Sequence, residues 1–391
     1  LAEQDGPIGR GCAALAARFG RPAALAAVAP GRVNLLGEHT DYNEGLVLPC
    51  AIDRATALVA APRGDACVRA FSVELAAEGD LPLHALARAG DWLDFLRGAA
   101  FALREAGVAL RGADLAIASD VPIGAGLSSS AALALAATLA LARLAGRALS
   151  LREAADLAHR AESDFVGTGC GILDFYASAL GEPDRALRVD CRTRSVAVLP
   201  LPARACWLVA DSGASRSLAA SGYRERVAQC AEVLDAAKRA GVAAPGASAL
   251  RDLGPDDLPA LSRALPEPLL RRARHVISEN MRVDAFAAAL GAGDLHAAGA
   301  LMRESHASLR LDYAVSTPEL DALCSVADAE PGCFGSRLTG AGFGGCTLHL
   351  VDPDAADAVA CALETGFAQR FGRAPRVWRV RASAGARVIS L

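Results

Sequence analysis

Apolar and polar positions along the chain follow two periods that keep replacing one another. Residues 10–20 have helical spacing with one apolar face, and Ala26–Val28 is a short apolar run entering a polar block. Strand-like apolar runs return at Leu46–Ile52, Ala55–Ala60 and Val68–Phe71, separated by turn-forming residues. Asp91–Ala106 is helical by period, with Trp92, Phe95, Leu96 and Leu103 on related faces. Leu115–Ser119 alternates and leads through a Gly-rich turn and three serines into an Ala/Leu-rich helix reaching Arg143. Ser150, with Glu153 three residues on, has the form of a capping box. The helix it opens carries Glu162 near its end, and Gly171–Leu180 reads as another helix. Strands are expected again at 186–189 and 206–210, with the Pro-punctuated segment 199–203 between them as a domain junction. The second half is mostly helical (221–240, 269–289, 294–309, 317–329). It closes with a Gly-rich loop and strand (335–351), a helix (354–371) and a strand (375–381). The pattern predicts an α+β fold with mixed sheets rather than regular βαβα winding.

Val121–Ala142 is uncharged over 22 residues, which raises a membrane span as a reading. Its apolar part is only Ala131–Ala142, and a run of about 10–14 residues is the length of a buried core helix. Near the N-terminus, Arg18 and Arg21 precede an uncharged PAALAAVAPG, but Glu3 and Asp5 lie upstream and the run passes straight into a polar motif. A cytosolic protein is expected. Eleven scattered cysteines without a C-x-x-C, and seven histidines without H-x-x-x-H, agree with a reducing compartment and no zinc site.

Composition narrows the chemistry. With 391 residues, 53% of them hydrophobic, the chain has ample core for two domains or one large one. A net charge of −4 offers no general attraction to nucleic acid or anionic membrane. Lys238 is the only lysine and lies in a helical pattern far from the Gly loop. Both the P-loop and the protein-kinase schemes place a lysine beside the phosphates, so both are excluded.

Three stretches carry candidate chemistry. Gly124–Ser130 is a Gly/Ser turn ahead of a helix, where free amides and the helix dipole meet an anion; the same pattern also serves as a plain cap. The block Arg32–Asp41 sets Arg32, His39 and the carboxylates of Glu38 and Asp41 among glycine turns, a donor set suited to sugar hydroxyls or to solvent. Asp174, in apolar surroundings, needs a cationic partner or ligand to stay ionised, and Arg32 would suit. A second Gly-rich loop, Gly335–Gly345, has five glycines in eleven residues and can wrap a ligand.

Taken together, these motifs resemble the GHMP kinase superfamily and, within it, the galactokinases. The resemblance rests on APGRVNLLGEHTDYNEGLVLPCAID (29–53), VPIGAGLSSSAAL (121–133) and LTGAGFGGCTLHLV (338–351). CGILD (170–174), SGYRERVAQC (221–230) and ESHASLRLDY (304–313) add to it, in the family's order. It implies a two-domain fold, 1–200 and 201–391, with the active site between the domains. It implies that Gly124, Ala125, Gly126, Leu127, Ser128, Ser129 and Ser130 wrap ATP, and that Ser130 and Glu162 hold Mg²⁺. Glu38, His39, Asp41, Gly171 and Tyr223 match galactose-holding positions, Asp174 the catalytic aspartate and Arg32 the arginine beside it. The partners implied are galactose and MgATP, in a monomer or weak homo-oligomer. Whether Asp174 removes the C1 hydroxyl proton or orients that hydroxyl while Arg32 steadies the charge is left open. Two departures bear on sugar specificity: Phe175 stands where the family usually has Gln, and Asp211 where many members have Asn. They keep open a kinase for L-arabinose, galacturonate or an N-acetylated hexosamine. A non-catalytic galactose and ATP sensor is disfavoured by the intact loop serines.

Overall fold

The structure is a computed structural model describing residues 6–214 and 219–391. Twelve strands among the described residues form two sheets. The first half supplies β1 (Leu25–Leu36), β2 (Leu46–Pro62), β3 (Cys67–Ser72), β4 (Ala77–Pro82), β5 (Ala113–Ser119), β6 (Arg185–Asp190) and β7 (Val196–Pro200). The second half supplies β8 (Cys206–Asp211), β9 (Cys333–Thr339), β10 (Cys346–Val351), β11 (Arg376–Val380) and β12 (Arg387–Ser390). The eight-stranded sheet runs β12-β1-β2-β5-β3-β4, with β6 on β2 and β7 on β6. It is mixed, since β3 and β5 are parallel. The second sheet, β11-β8-β10-β9, is antiparallel throughout, so only one of the two sheets is mixed as expected.

Several boundaries differ from the sequence reading for physical reasons. The apolar runs on either side of Asp53 belong to one strand, β2, whose first part pairs with β6 and whose second part pairs with β5. Asp53 is exposed there, so a strand changing partners reads as two. β1 runs on through the polar block to Leu36, buried at every position. Its register on β2 shifts between Pro30 and Arg32, where the Arg32 amide leaves the ladder for the Leu127 carbonyl at 3.2 Å. β4 is polar (AEGDLP) and β12 is four residues long, and neither has an apolar period to read.

The Ala/Leu-rich segment is helix Ser129–Leu144, buried from Ala134 through Ala142 without a break. A helix enclosed on all sides needs no charged face, which explains the uncharged run. Among the described residues no helix is long and apolar enough to cross a membrane. Ser150 caps helix Leu151–Arg160, its hydroxyl accepting from the Glu153 amide. That helix passes into a π-helical turn, Ala161–Val166, which carries Glu162. No two cysteines among the described residues form a disulfide.

One core fills the space between the first sheet and helices Asp94–Glu105, Ser129–Leu144, Leu151–Arg160 and Leu173–Leu180. A second joins the two sheets: Val33, Leu35 and Leu36 of β1 pack with Trp207, Val209, Leu348 and Leu350 and with Phe286 and Met302. This shared core fixes the Val33–Leu36 end of β1 against β8 and β10.

Candidate active site

Arg32 is carried on β1 and Asp174 on helix Leu173–Leu180, and they meet in an ion pair of 2.6 Å. Arg32 Nη1 donates to the Gly126 carbonyl at 2.7 Å, so one guanidinium ties the aspartate to the Gly/Ser loop. The loop is shaped by positive φ at Gly124, Gly126 and Ser128, after which the helix starts at Ser129. Its first-turn amides have no helical carbonyl ahead of them, and the positive end of the helix dipole lies there. Ala125 and Leu127 turn their side chains into the core, leaving only backbone for a ligand.

Ser130 donates its hydroxyl to Glu162 Oε1 at 3.1 Å. Among the described residues, Glu162 Oε2 and the Ser128 hydroxyl are both buried without a hydrogen-bond partner. Burial, with the charge of Asp174 nearby, pushes the Glu162 carboxyl up to about 7. Orphaned hard-oxygen donors at the head of the Gly/Ser loop fit a hydrated divalent cation.

On the other side, β1 ends at Leu36, the turn beyond it delivers Glu38 and His39, and Asp41 opens the short 3₁₀ turn Asp41–Asn43. Glu38 Oε1 accepts from the Gly340 amide at 2.7 Å. Burial raises the Glu38 pKa, and Arg337 and Arg32 oppose the rise. Asp41 is pushed up to about 7 by burial and by Asp174. Gly171 lies so close to the Asp41 carboxylate that a Cβ there would overlap it. His39 has φ 64° and both ring nitrogens engaged, Nε2 with the Ala341 carbonyl (3.1 Å) and Nδ1 with the Tyr42 hydroxyl (2.9 Å). A carbonyl only accepts, so Nε2 carries the proton and Nδ1 accepts from Tyr42. Tyr42 in turn bonds Tyr313 (2.7 Å), which contacts Cys230 Sγ (3.1 Å). Burial holds the ring neutral, its pKa lowered to about 3.

These groups line one cavity of about 710 Å³. It brings together Arg32, Glu38, His39, Asp41, Gly124, Gly126, Ser128, Ser129, Ser130, Glu162, Gly171, Asp174 and Tyr223. Every site residue expected from sequence is there except Ala125 and Leu127. Leu75, Trp92, Phe95, Ile123 and Leu133 supply an apolar wall, and Gly340 and Ala341 come from the second Gly-rich loop. The two glycine loops touch: a Cβ at Gly340, whose φ is 87°, would stand 3.1 Å from the Gly126 carbonyl. Sequence reasoning placed Trp92 and Phe95 on a helix face without giving them a role, and had no signal for Leu75. The two departures from the family pattern lie outside the cavity wall. Phe175 is fully buried edge-on to His159, and Asp211 is buried in an ion pair with Arg376; neither lines the cavity. Successive residues of a helix point about 100° apart, so Asp174 can face the cavity while Phe175 faces the core.

Comparison with known proteins bears directly on this geometry. Residues 13–62 match the galactokinase galactose-binding signature, 94–182 the GHMP kinase N-terminal domain and 286–369 the GHMP kinase C-terminal domain. The chain is 48% identical over 359 residues to a galactokinase of Roseiflexus sp. (strain RS-1), covering 91% of each chain. It is 48% identical over 357 residues to one of Chloroflexus aurantiacus, again covering 91% of each. The chain belongs to the galactokinase family. The structure of Lactococcus lactis galactokinase complexed with galactose superposes with a TM-score of 0.91 at 31% identity, covering 96% of this chain and 98% of that one. A mevalonate kinase structure (TM-score 0.65, 18% identity, 91% and 98% covered) shares the fold alone. The enzyme is therefore an ATP-using sugar kinase of the GHMP type, with two sheets arranged as in that superfamily.

Proposed function

We propose that the enzyme transfers the γ-phosphoryl group of ATP to the C1 hydroxyl of α-D-galactose, giving galactose 1-phosphate and ADP. The observation that carries this is the Arg32–Asp174 pair, bonded at once to the phosphate loop and set among the sugar-motif carboxylates. Glu38, Asp41, the Gly171 backbone and Tyr223 hold the sugar hydroxyls, and His39, with both nitrogens engaged, braces the pocket. The amides of Gly124–Ser130 cradle the triphosphate, and the apolar wall of Trp92, Phe95 and Leu133 takes the base.

In the transfer, the sugar O1–P bond forms as the bond from phosphorus to the bridging oxygen of ADP breaks. The O1 proton passes to the Asp174 carboxylate. Arg32 steadies the charge that gathers on the transferring group, and because it is tethered at both ends it needs little reorganisation. Ser130 and Glu162 would hold Mg²⁺, which supplies charge neutralisation of the phosphates when bound. The division near residue 200 belongs to the same reading, because β7 ends at Pro200 and β8 opens the second sheet. A cytosolic location belongs to the same reading.

The test is ADP release with MgATP against D-galactose, L-arabinose, D-galacturonate and N-acetyl-D-galactosamine. Galactose is expected to lead by at least about tenfold in kcat/KM, since a lost hydrogen bond in a polar pocket is costly. A lead for another sugar, or galactose binding without ADP release, would overturn the assignment.

A further inference from the structure

The second Gly-rich loop contributes Gly340 and Ala341 to the cavity, yet the transfer gives no part to the charged residue just ahead of them. Arg337, on β9, is 0% exposed. Its Nη1 donates to the Asn34 carbonyl of β1 at 2.9 Å, and its Nη2 stands 3.5 Å from Glu38 Oε1. The same carboxylate oxygen takes the Gly340 amide. Arg337 Nε and Nη2 make no hydrogen bond among the described residues. A guanidinium retained only to bolt two strands together would have its donors spent on carbonyls. Here one donor serves that purpose, and the rest of the charge is left beside the carboxylate.

Other groups also face Glu38. Arg32 and Asn34 come from β1, and Asp41 from the turn that follows. From helix Glu267–Ala292, His275 bonds the Glu38 carbonyl through Nε2 at 3.1 Å and is held neutral by burial, its pKa lowered to about 4. On the same helix Glu279 accepts from the Gly37 amide and is paired with Arg282 at 2.7 Å. Arg32 is already committed to Asp174 and Gly126. Arg337 is thus the cation within ion-pair distance of Glu38.

We infer that Arg337 is a positioning residue for sugar recognition, holding Glu38 at the cavity wall as an ionised acceptor for a sugar hydroxyl. The inference rests on the reading of Glu38 as a sugar ligand. It gives the arginine ahead of the glycines a task separate from phosphate binding. A buried carboxylate deprived of its cation takes up a proton more readily, and a protonated Glu38 has lost accepting capacity.

The experiment is steady-state kinetics of Arg337→Gln and Arg337→Lys, varying galactose and ATP separately between about pH 6 and pH 9. For Arg337→Gln the KM for galactose should rise about ten- to a hundredfold while that for ATP changes less than about twofold, the signature of lost ground-state binding to one substrate. The acid limb of kcat/KM for galactose should move to higher pH, because removing the cation raises the Glu38 pKa. Asp41 and Glu162 titrate in wild type and variants alike, so the displacement between profiles belongs to Arg337. Arg337→Lys, which keeps the charge, should return the limb most of the way and restore most of the galactose affinity.

Equal losses for both substrates, or an unmoved limb, would overturn the role of Arg337 while leaving the reading of the site intact. If Arg337→Gln does not fold, Arg337→Met, which also removes the charge, takes its place: a selective rise in the KM for galactose supports the role, and equal losses for both substrates overturn it. Wild-type protein that fails to phosphorylate galactose would instead overturn the site reading, and this inference with it.

Discussion

Asp174 and Arg32 are 142 residues apart in sequence and 2.6 Å apart in the fold. Neither residue alone announces a reaction. What made them legible was the apolar setting of Asp174, which demanded a cation, together with an arginine in a motif rich in carboxylates. The structure supplies the missing element, the bond from Arg32 to Gly126, which no spacing rule could predict. Asp174→Asn keeps the size of the side chain and removes its ability to take a proton. It should lower kcat by about 10²–10⁴ while leaving the KM for ATP little changed. Comparable losses in both, or near-normal turnover measured by ADP release, would show that the residue acts elsewhere. Phe175 and Asp211 show the opposite limit. A sequence gives a residue's neighbours in the chain but not the direction of its side chain, so it could not show that both positions turn away from the cavity.

At the scale of elements, what could be read was whatever carried a strong period or punctuation. The helix from Ser129 and the cap at Ser150 are of this kind. β4 and β12 were not legible, because an edge strand with one neighbour needs little apolar surface to hold its place. The π-helical turn that carries Glu162 was equally hidden, since it differs from an α-helical turn only in its hydrogen bonding. The junction of turn Asp41–Asn43 with the segment leading to helix Leu173–Leu180 depends on Gly171, where any side chain would displace the Asp41 carboxylate. Gly171→Ala should raise the KM for galactose by about tenfold to a hundredfold, as a misplacement of about 1 Å does. The KM for ATP should stay near the wild-type value. Equal changes in the two constants, measured under the same conditions, would mean that the element as a whole had shifted.

For the whole molecule, motif order predicted the family and therefore the architecture, whereas composition alone could give only an α+β core of sufficient size. Neither foresaw that the chain returns to where it began. After β11 has completed the second sheet, Ala382 bridges Ile52 and β12 pairs with β1 from Leu25 to Val28. Removing residues 387–391 should leave β1 with one unpaired edge, and an unpaired edge recruits other chains. The shortened protein should appear largely in the insoluble fraction on expression, and soluble, fully active material would contradict this. The same closure has a consequence during synthesis. The strand carrying Arg32 leaves the ribosome well over half this sequence ahead of its outer partner. At about 5–20 residues per second the gap between them lasts roughly 20–70 s. Through that interval the first sheet cannot finish, however early its other strands have paired. Throughout that gap the nascent chain depends on whatever shields a bare strand in the cell.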